Sequence, residues 1–256
     1  MYQSDMSLIR SSNIKCDTVI INQCDEQKTV RESIGKSNVK MIFTTERGLS
    51  KSRNLAIKNS DADICILCDD DEVFEDGFEQ NLVKAYKTIK DADIIAVKMK
   101  NMPAHFPDRV KKLGTLDLFH ISSWQISFRR ESLIKSGVLF DELLGAGTGN
   151  GAEEELKFLT DCKKAGLKIY YVPITVASAA QKSSTWFSGF NKAFFENRGA
   201  STRYILGLIP SSLYAVYYII TKRSIYKKDI SPLCALKAIF SGIIKNRITK
   251  QKRKLK

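Results

Sequence analysis

Apolar and polar positions alternate along the first 100 residues in two rhythms. Short β-rich runs at Thr18–Asn22, Val39–Thr44, Asp63–Cys68 and Asp93–Lys98 read as strands. Between them, Ser50–Asn59 and Gly77–Ile89 carry helical patterns. This alternation predicts an α/β fold whose mixed, mostly parallel sheet is covered by helices on both faces. Beyond residue 100 the rhythm loosens. Met102–Asp117, with two prolines and a basic run, reads as a loop. A short strand follows at Gln125–Phe128, then a Gly-rich stretch over 145–151, a helix at Glu153–Ala165 and a strand at Leu167–Val172. No internal repeat is present, and 256 residues suit one large domain or one domain with an appendage.

The third strand ends in a burst of acid. Ile64-Cys65-Ile66-Leu67-Cys68 reads as a central strand and runs directly into Asp69-Asp70-Asp71-Glu72. Open α/β sheets bind ligands just beyond the carboxyl ends of their strands. Four adjacent carboxylates repel one another, so a hard, oxygen-seeking cation such as Mg²⁺ or Mn²⁺ is the natural occupant. The plainer alternative is an acidic lead-in to the helix near Gly77, which the helix dipole favours.

Upstream, Arg47-Gly48-Leu49-Ser50-Lys51-Ser52-Arg53-Asn54 turns from strand to helix, with Ser50 placed to cap it. Helix starts bind anions, and Arg53, one turn in, is placed either to reach a nucleotide or to lie in solvent. Downstream, Gly147-x-Gly149-x-x-Ala152 only weakly matches a dinucleotide fingerprint, because no strand is expected directly before it. It reads better as a mobile loop whose glycines permit unusual backbone angles. Glu153-Glu154-Glu155 then opens a helix, where acids complement the dipole whether or not they have a further role.

Charge changes the picture of the C-terminus. The formal net charge is +13, yet Thr221–Lys256 holds 12 lysines and arginines against the single acid Asp229. The other 220 residues carry 29 basic and 27 acidic side chains, so the body is nearly neutral. Before the basic end lies the apolar run Tyr204–Ile220, broken by Pro210 and two serines and short for a membrane span. Leu233–Ile248 again mixes apolar residues with lysines. Apolar surface plus a polybasic end is the two-signal recipe for peripheral attachment to an anionic leaflet; a packed helix pair with a solvated tail is the alternative. Residues 1–203 are therefore expected as a catalytic body and 204–256 as a membrane-associating segment, with no nucleic-acid partner. No signal peptide is recognisable near the N-terminus. The six cysteines form no second paired motif, which favours core thiols in a reducing cytosol over zinc or disulfides.

In order along the chain, Gly48-Leu49-Ser50-Lys51-Ser52-Arg53-Asn54, Asp69-x-Asp71, Phe128-Arg129-Arg130-Glu131, and Glu154-Glu155 followed by Phe158-Leu159-x-Asp161-Cys162-x-x-x-Gly166-Leu167 resemble a family 2 glycosyltransferase of the GT-A fold, the bacterial type that builds surface polysaccharide. Ser184-Thr185-Trp186-Phe187 extends the likeness. The resemblance implies an inverting transfer from a nucleoside-diphosphate sugar, a UDP-sugar above all, to a hydroxyl of a glycan or lipid-linked acceptor. It implies that Asp69, with Asp70 beside it, contacts the donor. Asp71, with Asp69, would bind Mn²⁺ or Mg²⁺; Asp25 and Arg53 would hold the nucleoside; Glu155 would be the base, with Glu154 its neighbour and competitor for that role. The cytoplasmic face of the plasma membrane is the expected location.

Two departures stand out. The family opens with an apolar strand that Met1-Tyr2-Gln3-Ser4-Asp5 does not supply, so a natural start some ten residues upstream is expected. Only His105 and His120 exist, both before the base region, and each reads as a loop or core residue rather than a ligand. Asp69-x-Asp71-x-Val73 after an apolar strand also matches a haloacid-dehalogenase-like phosphohydrolase, with Asp69 as nucleophile, although that motif belongs on a first strand. A non-catalytic membrane adaptor would explain the basic tail but not the acidic strand end.

Overall fold

The computed structural model describes residues 2–100, 105–150, 153–179 and 189–254. The chain forms two compact units. Met1–Arg47, Lys51–Phe140 and Phe158–Lys182 make the first; Gly48–Ser50, Asp141–Lys157 and Ser183–Lys256 make the second.

In the first unit α1 (Ser7–Ser11) leads into β1 (Thr18–Gln23), β2 (Lys28–Ile34) and β3 (Ser37–Thr44). β3 is the middle strand of this sheet, parallel to β1 and antiparallel to β2. β2 is absent from the sequence reading because nearly all of its side chains are exposed. Backbone pairing rather than burial holds it, so no apolar alternation marks it. After α2 (Leu49–Asn59) come β4 (Ile64–Ile66), β5 (Glu72–Phe74), α3 (Phe78–Thr88), β6 (Ile94–Met99), β7 (Lys111–Lys112), β8 (Ile126–Arg129), α4 (Arg130–Ser136), α5 (Glu154–Lys164) and β9 (Ile169–Ala179), the first residues of α2 and α5 being counted with the second unit. The second sheet has the order β4-β8-β6-β9-β5, with β7 also paired to β9.

The expected mixed sheet with flanking helices is present, but as two sheets, and the parallel bias is not. Only β1–β3 and β6–β9 run parallel among the described pairs. β8 runs against both its neighbours, which a pattern of short apolar runs cannot reveal. The acid-ending strand also differs from expectation: β4 is a terminal strand of three half-buried residues, not a buried central one. The region read as a loop up to Asp117 contains β7 and runs into a short 3₁₀ turn at Leu116–His120.

The core of this unit locks α3 to the sheet through a buried tyrosine. The Ile95 N–H donates to the Tyr86 hydroxyl at 3.1 Å, and Ser127 Oγ lies 3.1 Å from the same oxygen. Arg129 donates to the carbonyls of Ala92 and Tyr86 at 2.9 and 2.8 Å. The Phe128-Arg129 motif is thus a fastening between β8 and the end of α3.

The second unit is built on α6 (Lys192–Leu206), α7 (Leu208–Thr221), α8 (Arg223–Tyr226), α9 (Pro232–Lys245) and α10 (Arg247–Lys254). Asn191 caps α6 by accepting from the Phe194 N–H, and Ser231 caps α9 ahead of Pro232. Gly207 ends α6 and divides the apolar run, while the 203/204 boundary falls inside α6. α6 and α9 cross at two glycines. A Cβ at Gly199 would lie 2.0 Å from the Ile239 carbonyl oxygen, and one at Gly242 would lie 2.0 Å from that of Glu196. Only hydrogen allows this approach. Around the crossing Phe195, Tyr218, Tyr226, Ile239 and Ile243 form a buried cluster. No described helix is long and apolar enough to cross a membrane.

Candidate active site

The acidic turn belongs to the first unit. Asp70 and Asp71 make the reversal between β4 and β5, and Glu72 opens β5. The four acids sit in unlike settings: Asp69 and Asp71 are half-buried, Asp70 is exposed and Glu72 is buried. Glu72 Oε1 accepts from the Asp69 N–H at 3.2 Å, while its Oε2 is buried without a hydrogen-bond partner among the described residues. Burial first, and then the charge of Asp69, push the Glu72 carboxyl up to about 8. Burial beside Asp69 thus disfavours a charged Glu72 carboxyl, and its partnerless oxygen is an unusual feature of the turn.

Arg53 reaches toward this turn from α2. Its Nη2 lies 3.4 Å from Asp69 Oδ1. Its guanidinium stands 5.3 Å over the Phe140 ring, which stacks on Phe158 at 4.1 Å. The buried Arg53 is therefore fixed by an aromatic face, and the reading of it as a solvated arginine is wrong. Asn54 fastens the same wall, donating to and accepting from the backbone of Phe140. Ser50 is not the cap expected of it: α2 already starts at Leu49, and the Ser50 hydroxyl donates to the Leu144 carbonyl at 2.7 Å, within the second unit.

Asp25 lies just past the end of β1 and is 82% exposed. Its Oδ1 accepts from Arg47 at 2.7 Å. The other arm of that guanidinium donates to the carbonyls of Cys24 and Thr44, which end the parallel strand pair. Tyr2 lies alongside, its ring 5.8 Å from the same guanidinium. Gln3 is held to the end of β1 by reciprocal hydrogen bonds with the Asn22 side chain. Arg47 stood in the quoted motif without a role; what identifies it is its place directly after β3, opposite Asp25.

Glu154 and Glu155 lie in the second unit, at the first turn of α5. Glu154 is buried, its carboxyl carbon 3.5 Å from where a Cβ on Gly145 would stand; Glu155 is half-exposed. The glycine-bearing loop before them is a turn closed by pairing of Gly145 with Asn150, and no strand precedes it, which rules out the dinucleotide fingerprint. Gly145, Gly147 and Gly149 all take positive φ. Sequence reasoning missed the partner of the first acid of the run: Arg198 of α6 lies 3.1 Å from Glu153 Oε1.

The rings of His105 and His120 pack against each other at a tilt of 31°, their centroids 4.2 Å apart. All six cysteines are free, but only Cys24 and Cys162 are buried, so the expectation of core thiols holds for part of the set. Ser184–Phe187 and Ala152 lie outside the described residues.

A mixed α/β fold with a carboxylate turn at the end of a strand is the architecture of GT-A glycosyltransferases. The sequence profile of glycosyl transferase family 2 matches residues 7–137, just over half the chain, and the chain belongs to that family. Among curated proteins, none matches it in sequence. Among solved structures, S. aureus TarS 1-349 in complex with UDP-GlcNAc is similar with a TM-score of 0.57 at 15% identity, covering 83% of this chain and 65% of that one. The mannosyltransferase PcManGT from Pyrobaculum calidifontis in complex with GDP-Man and Mn²⁺ gives 0.50 at 13% identity, covering 93% and 71%. The chain thus spans about two thirds of the TarS fragment, and at these identities the likeness concerns the fold.

Proposed function

We propose that this chain is a metal-dependent, inverting glycosyltransferase that moves a sugar from a nucleoside-diphosphate donor to a hydroxyl of a glycan acceptor. The observation that carries the proposal is the orphaned, buried Glu72 oxygen beside Asp69 and Asp71, with Arg53 fixed against the same turn. The donor set is all oxygen and suits Mn²⁺ or Mg²⁺. Among the described residues no three metal-binding side chains are already drawn together. Mg²⁺ is commonly held by one or two carboxylates and completed by phosphate oxygens. Asp71 and Asp69 would hold it, and when bound it would offset the charge that builds on the departing diphosphate.

This chain's own groups do the rest. Arg53 pairs with phosphate or ribose oxygens, and Asp70 lies at the rim of the turn for a donor hydroxyl. Asp25, Arg47 and Tyr2 offer a carboxylate, a guanidinium and an aromatic face to a nucleoside. Glu155, the more accessible of its pair, takes the proton from the acceptor hydroxyl as that oxygen attacks the anomeric carbon. The bond to the diphosphate breaks on the opposite side, so one displacement inverts the centre. TarS in complex with UDP-GlcNAc and PcManGT in complex with GDP-Man support a nucleotide-sugar donor, with UDP our first choice. Family membership favours this reading over phosphohydrolysis at Asp69. A binding screen of UDP, GDP and dTDP, each with and without Mn²⁺, tests it; metal-independent or absent binding of all three would refute it.

We further propose that the acceptor is lipid-linked and that residues 204–256 attach the enzyme peripherally to an anionic leaflet on the cytoplasmic side. The support is one face of α7. Ser211, Ala215, Tyr218 and Ile219 pack inward, whereas Ile209, Leu213 and Ile220 point out at 72, 68 and 68% exposure, with Val216 and Tyr217 completing the row. Lys222, Arg223, Lys227 and Lys228 follow at its end, and an apolar stripe beside cations suits anionic lipid.

A further inference from the structure

The three acids at the start of α5 are not equivalent, and the difference is set by a half-buried cation, Arg198. The Glu153 carbonyl accepts the first hydrogen bond of the helix, from the Lys157 N–H at 3.0 Å, so Glu153 stands at the cap position. Cap residues ordinarily take extended angles, yet Glu153 has φ +71°, a region costly for any residue with a Cβ. Its side chain points to Arg198. The Arg198 guanidinium lies 3.1 Å from Glu153 Oε1, donates to the Tyr214 hydroxyl at 2.8 Å, and stands over the rings of Phe194 and Tyr218 at 5.1 and 4.5 Å. Its Nε is buried with no hydrogen-bond partner among the described residues. A largely enclosed guanidinium, 19% exposed and with its Nε unsatisfied, makes the loss of Glu153, its acidic partner among the described residues, expensive, which fixes Glu153 in place.

Arg198 does not act alone. Arg247 donates both to the Gly149 carbonyl, at 3.1 Å, and to Asn197, the neighbour of Arg198, at 2.6 Å. Gln251 accepts from Asn150 at 3.2 Å, and Tyr204 bonds Asp141 at 2.5 Å. α6 and α10 therefore hold Asp141, Gly149, Asn150 and Glu153, on the approach to Glu154 and Glu155.

We propose that Arg198 is a positioning residue for the base: by holding Glu153 in its left-handed conformation it sets the direction in which Glu154 and Glu155 leave the start of α5. The inference rests on the reading of those two acids as the base pair. It makes the C-terminal helices part of the catalytic apparatus whether or not they also meet a membrane.

The test is steady-state hydrolysis of whichever UDP-, GDP- or dTDP-hexose the full-length wild type turns over with Mn²⁺, with kcat and KM separated. Arg198→Met should lower kcat about 100-fold, the usual effect of misplacing a catalytic group by about an ångström, with the donor KM within about twofold. Arg198→Lys, which keeps the charge but not the fork, should lose about tenfold. Glycine adopts positive φ without a partner, so Arg198→Met combined with Glu153→Gly should recover most of the lost kcat. If Arg198→Met does not fold, the lysine and double variants carry the test. Unchanged kcat in a folded Arg198 variant, or no recovery in the double variant, overturns the proposal. Glu154→Gln and Glu155→Gln are run alongside. If both keep full turnover the base reading itself fails; if one is inactive while the Arg198 variants are normal, only the positioning role fails.

Discussion

Two runs of consecutive acids, Asp69–Glu72 and Glu153–Glu155, look alike in sequence and are handled in opposite ways. In the second, the fold brings its own counter-charge: Arg198 pairs with Glu153 beneath two aromatic rings. In the first, Arg53 Nη2 lies 3.4 Å from Asp69, and one buried Glu72 oxygen has no hydrogen-bond partner among the described residues. A run of carboxylates therefore does not by itself signify a metal. What sets the first apart is the partnerless Glu72 oxygen among its described contacts, and the proposed metal reading rests on that oxygen rather than on the run of acids.

The contrast is broken most severely at the acids proposed to do chemistry. Glu155→Gln should lose about 10²–10⁴ in turnover while still binding donor, because an amide keeps the shape but cannot accept the proton. Single-turnover kinetics beside nucleotide calorimetry would show it, and an active Glu155→Gln with an inactive Glu154→Gln would move the base by one residue.

The crossing that carries Arg198 is the next point of attack. Gly199→Ala or Gly242→Ala drives a methyl into a carbonyl oxygen across the α6–α9 contact. Each should destabilise the second unit by about 1–3 kcal/mol, the range for overpacking a close contact, read as a fall in melting temperature. Wild-type melting in both variants would mean that the helices do not approach as described.

The outer face of α7 is the place where a loss of binding with no loss of fold is expected. Leu213→Gln and Ile220→Gln should each weaken association with vesicles containing anionic lipid by about 1.5–3 kcal/mol per apolar side chain withdrawn, with no loss of fold. Salt should weaken the wild type, since screening acts on the flanking cations. If the variants instead abolish a dimer seen by light scattering, the stripe is a contact between copies of the chain.

Much of the fold was legible because burial writes it into the pattern. The runs at Thr18, Val39 and Asp93 and the helices at Ser50 and Gly77 appear within a residue or two of expectation. What escaped is what burial does not write. β2 is held by backbone hydrogen bonds on an exposed edge, and β8 runs antiparallel for topological reasons that lie far from its own four residues. Asp69, Asp71, Arg53, Asp25, Glu154 and Glu155 could be nominated as site residues from the sequence because the motifs that suggest them are local. Arg198 lies 45 residues from Glu153 in an unremarkable helical stretch, and only the folded chain brings them together. The tail shows the same limit: its apolar residues could be counted from the sequence, but their division between the α6–α9 core and the outer stripe could not.

The central claim, that the Asp69–Glu72 turn requires a cation supplied with the substrate, is tested most directly by isothermal titration of UDP into wild type and Asp71→Asn, each with and without Mn²⁺. The account predicts that the wild type binds UDP with Mn²⁺ and hardly without it, and that Asp71→Asn, folded as before, loses the metal-dependent component. Equal affinity in the two proteins, or binding in the wild type that ignores Mn²⁺, would contradict it.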